Sequence, residues 1–326
     1  MASDAKNVRC PDCDAIDRRD FITAVGATAV AAGAASMLPG SAVAAPTPKS
    51  AAESAVKRLY ESLNADQKTA MALSWDDPRR TRVSANWHVT KANVGSFSKE
   101  QQKTIHDVIR GITSEDGYDR FLKQMKADNG GVERYAVAIF GNPAEDKFQF
   151  ELTGRHLTLR ADGDTLPGAA FGGPIVYGHG AAGNSEGNLF WYQTKRANEV
   201  FAALDEGQRK KALLSRAPRE SAVQLREKGA ALPGIAGSDL SKDQLELLQK
   251  ALADVLAPYR KEDVDEVMEI VKAGGGFEKV SMAFYQTGDL GDDSVWDIWR
   301  LEGPTLVSHF RGAPHVHAYL NVAKRT

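Results

Sequence analysis

The sequence predicts an α+β protein: a single domain whose helical N-terminal third packs on an antiparallel sheet built from two strand blocks, with a helical insertion between the blocks. Three observations lead there. Apolar residues recur at helical spacing through the first third, change at Tyr135 to strand-like alternation, return to helical spacing near Thr194, and change again at Lys279. Strands and helices come in blocks rather than in strict alternation, which argues against a parallel doubly wound sheet. Short turns at Glu302-Gly303-Pro304 and at Arg311-Gly312-Ala313-Pro314 join the last strands as an antiparallel meander.

Taken in order, residues 1–44 read as an export signal that is removed. Arg18 and Arg19 precede Phe21 and Ile22, an uncharged Ala/Gly-rich run reaches Leu38, and Ala42-Val43-Ala44 forms a small-residue cleavage pattern. This is the form of a twin-arginine signal, and its Ala and Gly content makes it a poor permanent membrane anchor. The expected location is the periplasm or the exterior, with the twin-arginine export machinery as a partner on the way. Cys10 and Cys13, the only two cysteines, lie upstream of the cut, so the mature chain has none; one C-x-x-C without a second pair is not a zinc framework.

Residues 45–52 read as a linker and 53–326 as the domain. Two helices follow from Glu53 to Leu73, separated at Asn64-Ala65-Asp66, where Asn64 or Asp66 caps the second. Ser98 caps another ahead of Gln101, and a further helix follows Ser114. The first strand block is "RYAVAIFGNP", "KFQFELTGRHLTLRADGD" and "AAFGGPIVYGH". A helix from about Thr194 breaks near Leu204-Asp205; of the next two, one is capped by Ser241 and ends near Pro258, the other closes at glycines 274–276. The strands "KVSMAFYQTG", "DSVWDIWRLEG", "PTLVSHFRG" and "PHVHAYLNVA" end the chain, and no internal repeat is visible. Strand spacing assigns Trp191, Tyr192, Trp296 and Trp299 to sheet core.

Lysine plus arginine is 41 and aspartate plus glutamate 43, a net charge of −2 that offers no field for nucleic acid or an anionic membrane. There is no G-x-S-x-G, H-E-x-x-H, Walker loop or dinucleotide fingerprint, so serine hydrolases, zincins and nucleotide enzymes lack their motifs. The acidic run Thr287–Ser294 lacks a calcium-loop pattern and reads as a solvated hairpin loop.

The histidines carry the functional signal. His315 and His317 occupy alternate positions of the last strand, so both rings face one side. Neutral imidazole is the commonest metal ligand, and zinc, copper or iron sites gather several nitrogens from different strands. The other strand-block histidines complete a candidate metal site of His156, His179, His315 and His317, with His309 or His88 in reserve; His106 reads as a helix-surface residue. The twin-arginine route, which carries folded proteins, agrees with a metal acquired before export. Catalytic residues are not defined by the sequence. Two alternatives stand beside the metal reading. One is a metal-free hydrolase or lyase with a histidine base and Glu151 or Arg160 orienting the substrate. The other is a periplasmic module binding a small molecule between its aromatic residues.

In order along the chain, "ADQKTAMALSWDDPRRTRVSANW", "VAIFGNP", "FQFELTGRHLTL", "AAFGGP", "VWDIWRLEGPTLV" and "HVH" resemble the bacterial family known as domain of unknown function 3500. The family's W-x-W-x-x-x-G-H-H-L strand is similar to Phe148, Phe150, Gly154, Arg155, His156 and Leu157, with Arg155 in place of the first paired histidine. Alternation puts Arg155 opposite His156, which leaves His156 as the residue facing a shared centre. After H-x-H the chain continues as "HAYLNVAKRT", without the family's usual arginine-, aspartate- and glycine-containing tail. The resemblance carries no reaction with it; it links "GRHL" to "HVH".

Overall fold

The computed structural model describes residues 45–183, 185–289 and 295–325. The expected signal, its cleavage site, Cys10 and Cys13 lie outside the described residues, as does the end of the acidic run. Helices α1 (Ala51–Ser62) and α2 (Ala65–Met71) lead into β1 (Ala72–Leu73); α3 (Lys99–Ile112) and α4 (Glu115–Asn129) lead into β2 (Ala136–Asn142), β3 (Lys147–Gly154), β4 (Leu157–Ala161) and β5 (Ile175–Ala182). Then α5 (Trp191–Ala203) and α6 (Glu206–Ala212) lead into β6 (Leu213–Leu214) and, further on, β7 (Ile235–Ala236). Finally α7 (Lys242–Leu256) and α8 (Lys261–Ala273) lead into β8 (Ser281–Tyr285), β9 (Ile298–Glu302), β10 (Leu306–Arg311) and β11 (His315–Val322).

The strands make one sheet in the order β1-β2-β3-β4-β5-β11-β10-β9-β8-β6, with β7 on β8. Both blocks therefore contribute to one α+β domain, and the last four strands form the expected meander. Two-residue parallel pairs at the rims, β1 with β2 and β6 with β8, make the sheet mixed. No described helix is long and apolar enough to cross a membrane.

Contrary to the sequence reading, the chain contains an internal repeat. Counting outward from the central β5/β11 pair, the two sides of the sheet have the same plan, and each is preceded by the same helices. The row Ala72, Ile139, Phe150, Ala161 across β1 to β4 matches the row Leu213, Phe284, Trp299, Phe310 across β6, β8, β9 and β10. Helix starts match as closely. Asn64 with Gln67 and Ser98 with Gln101 form capping boxes whose two glutamine carboxamides bond each other at 2.9 and 3.0 Å. Asp205 with Gln208 and Ser241 with Gln244 repeat this at 3.0 and 2.8 Å. In both halves the second glutamine also donates to the last carbonyl of a preceding helix, Gln101 to Ser62 and Gln244 to Ala203.

Strand alternation sorts the two faces. Phe148, Phe150 and Leu152 of β3, Trp299 and Leu301 of β9 and Val316, Ala318 and Leu320 of β11 pack with the helices in one core cluster. Each such large side chain contributes about 1.5–3 kcal/mol by leaving water. The opposite face carries Gln149, Glu151, Thr158, Arg160, Arg300, His309, Arg311 and His317, all buried. An antiparallel sheet commonly leaves such a face wet. Here segments 74–93 and 215–226 cover it and bond to it: Trp87 Nε1 donates to Thr158, Arg160 to the carbonyls of Arg80 and Arg82, and Asn321 to that of Val223. A dry polar layer demands partners for nearly every group, which fixes the path of both segments.

Two sequence expectations change. "KFQFELTGRHLTL" is two strands, because the chain reverses between Gly154 and Leu157. Trp191 and Tyr192 sit in the first turn of α5, which follows a turn in which Asn188 accepts from the Phe190 N–H at 3.0 Å; Trp299, by contrast, is sheet core stacked on Phe310.

Candidate metal centre

His156 occupies the two-residue turn between β3 and β4 at φ +57°, with its N–H donating to the Ala85 carbonyl at 2.6 Å. Non-glycine residues seldom take that conformation, and it turns the imidazole over the edge of the sheet toward the start of β11. His315 and His317 open that strand. Alternation puts both on the covered face, where His317 lies beside Gly178 of β5 and Arg311 of β10.

The three rings converge. Centroids are 4.8 Å apart for His156 and His315, 4.9 Å for His156 and His317, and 4.7 Å for His315 and His317. One donor nitrogen from each lies within 4.8 Å of the others, and all three residues are buried. Two nitrogens sharing a tetrahedral ion with bonds near 2 Å stand roughly 3.3 Å apart. His315 Nε2 and His317 Nε2 are already 3.0 Å apart.

Carboxylates hold two of the rings from behind. Asp128, at the end of α4, takes His156 Nδ1 on Oδ2 at 2.8 Å, and its Oδ1 accepts from the Gly180 N–H at 2.9 Å. Glu220, in the covering segment 215–226, takes His317 Nδ1 on Oε2 at 2.7 Å, and its Oε1 is paired with Arg311 at 2.7 Å. Arg311 Nη2 also lies 3.0 Å from His317 Nδ1 and 3.3 Å from His315 Nε2. A guanidinium only donates and a carboxylate only accepts, so His317 Nδ1 can serve one of them; the nearer carboxylate takes its proton. With Nδ1–H directed to a carboxylate, the acceptor nitrogen of each of these two rings is Nε2, the arrangement found behind metal-ligating histidines.

The charge states agree. Burial lowers the His156 pKa below the usual 6.5 against the pull of Asp128, keeping the ring neutral. Burial raises Asp128, but the hydrogen bonds from His156, Gln124 and Gly180 outweigh it and hold the carboxyl below its ordinary value. A neutral imidazole thus donates to an ionised carboxylate.

The other sequence candidates fall elsewhere. His179 pairs with Val316 and so faces the helices; its Nδ1 accepts from the Leu189 N–H at 3.1 Å, which puts the ring proton on Nε2. It is not one of the convergent three. His309 is buried on the covered face, opposite Arg300; His88 is exposed, and His106 bonds Tyr118. Glu151 and Arg160 are spent on a 2.5 Å ion pair with each other at no more than 1% exposure, so neither can orient a substrate. Sequence reasoning missed Asp128, Glu220 and Arg311. Arg311 had a signal, standing on the preceding strand just across the turn from H-x-H.

A family model described as a protein of unknown function (DUF3500) matches residues 45–322, and the chain belongs to that family. No curated protein and no solved structure matches it.

Proposed function

We propose that the protein binds a divalent transition metal through the Nε2 atoms of His156, His315 and His317, and that the bound ion serves as a Lewis acid toward a small molecule. The observation that carries this reading is the paired Nδ1-to-carboxylate support, Asp128 behind His156 and Glu220 behind His317, on two rings whose ligand nitrogens lie within 4.8 Å of each other and of one from His315. Three protein ligands leave a coordination position open, the pattern of catalytic rather than structural zinc, and a water there has its pKa lowered to about 7. Zinc, copper and iron all suit imidazole nitrogen.

The sequence's twin-arginine signal supports export of the folded, loaded protein as part of the proposal. Elemental analysis of protein folded in the cytoplasm, compared with His315→Ala and His317→Ala, tests the reading. About one metal per chain is expected in the wild type and a clear deficit in both variants. The same substoichiometric metal in all three proteins would refute it.

A further inference from the structure

We propose that the open metal position receives the carboxylate of an anionic substrate, bound jointly by the ion and by Arg311. This rests on the reading of His156, His315 and His317 as metal ligands. Neutral imidazoles leave the charge of a divalent ion undiminished. Of the two carboxylates behind them, Glu220 is matched by Arg311, so Asp128 alone offsets the ion. A buried centre with one uncompensated positive charge is costly, and a monoanionic oxygen ligand removes that cost.

The internal repeat supplies an independent comparison. On the covered face of the first half, Glu151 stands opposite Arg160, and Asp162 follows at the end of β4. The matching positions of the second half are Arg300 opposite His309, followed by Arg311. Where the first half has Glu, Arg and Asp, the second has Arg, His and Arg. In the first half the cross-strand pair closes on itself at 2.5 Å. In the second, Arg300 turns to Glu302 and to the Ala222 carbonyl, Glu302 is shared with Arg226, and His309 Nδ1 has no partner at 1% exposure. The first half shows that this sheet can be built with an acid–base pair there. The basic version stands on β10, which adjoins β11 and its two histidines, and on β9 beyond it.

Reach agrees with charge. Arg311 Nη2 lies 3.3 Å from His315 Nε2, so an ion bonded to that nitrogen sits within about 5.5 Å of the guanidinium. A carboxylate spans that gap with one oxygen on the ion and the other accepting from Arg311.

The test uses the full chain loaded with Co2+, its visible bands titrated with acetate, in the wild type, Arg311→Gln and Arg311→Lys, with cobalt content measured in each. Acetate should shift the wild-type bands. Its apparent affinity should fall about tenfold or more in Arg311→Gln at equal cobalt content, and recover in part in Arg311→Lys. Equal acetate affinity in wild type and Arg311→Gln, or wild-type bands that acetate does not move, overturns the proposal. Absence of cobalt bands in the wild type before acetate is added overturns instead the metal reading beneath it. Should Arg311→Gln fail to hold cobalt, Arg300→Gln carries the charge test one row further from the ligands: weaker acetate binding supports the proposal, and unchanged binding counts against it.

Discussion

Asp128→Asn isolates the support behind His156 without changing the shape of the side chain. Asp128 accepts three hydrogen bonds, from His156 Nδ1, from Gln124 Nε2 at 2.8 Å and from the Gly180 N–H at 2.9 Å. Asparagine has one accepting oxygen and one donating nitrogen. If its oxygen stays on Gly180, its NH2 confronts His156 Nδ1 and stabilises the tautomer with a proton on Nε2, the atom required for the metal. If the amide flips, Nδ1–H is kept but two N–H groups meet at Gly180. Either way the ligand-competent state of His156 is disfavoured, and loss of such support typically weakens metal binding 10–100-fold, about 1.4–2.7 kcal/mol. Competition of the folded variant and the wild type against a chromophoric chelator measures this directly. Affinity within about twofold of wild type, with unchanged thermal unfolding of the metal-free proteins, would refute the role given to Asp128.

Further outcomes follow from the same geometry. Burial pushes the His309 pKa down to about 3, against an unfolded value near 6.5, so the unfolded chain binds this proton first and stability falls as pH drops through that window. Relative to His309→Leu, the wild type should lose about 1.4 kcal/mol per pH unit between roughly pH 6 and 4 in urea unfolding. Buried acids with raised pKa values, such as Asp263 and Glu266 near 7, have the opposite sign but cancel in this difference; a flat difference would show His309 to be solvated. Gln101→Ala and Gln244→Ala, at repeat-related positions with the same partners, should each cost about 1–2 kcal/mol in denaturant unfolding, and costs differing severalfold would contradict their equivalence. A Cβ on Gly180 would meet Asp128 Oδ1 at 2.7 Å, so Gly180→Ala should weaken metal binding through His156 in the same chelator assay while leaving the core unchanged.

Much of the fold is legible because its signals are local. Asn64, Ser98, Ser114 and Ser241 announce helix starts by satisfying N–H groups a few residues ahead, and each is the N-cap of the helix expected there. The alternation of Phe148, Phe150 and Leu152 with Gln149, Glu151 and Thr153 likewise shows which face is apolar. Sequence does not reveal that the polar face is also buried, because its cover is segments 74–93 and 215–226, which have little regular structure and whose apolar anchors, among them Trp75, Val83, Trp87, Val89 and Val223, follow no helix or strand period. The β3–β4 turn hides for a related reason. Its positive-φ position holds histidine rather than glycine or asparagine, so the usual punctuation is missing.

The repeat and the site are hidden by one circumstance: equivalence is kept in hydrogen-bonding roles while side-chain identity drifts. "LNADQKTAMALS" and "LDEGQRKKALLS" share the glutamine that closes each box and little else beyond leucine and serine. Likewise Glu151, Arg160 and Asp162 occupy the positions that Arg300, His309 and Arg311 hold in the other half. H-x-H was visible because both histidines lie on one strand, and His156 because the resemblance tied "GRHL" to it. Asp128 and Glu220 were not, because a supporting carboxylate is defined only by the atom it faces, and these two reach the site from a helix on one side of the sheet and a covering segment on the other. The candidate metal site at the seam of the sheet draws residues from both halves. His156 and Asp128 come from the first, His315, His317, Glu220 and Arg311 from the second, so neither half alone holds the site, and closing the β5/β11 seam is what assembles it.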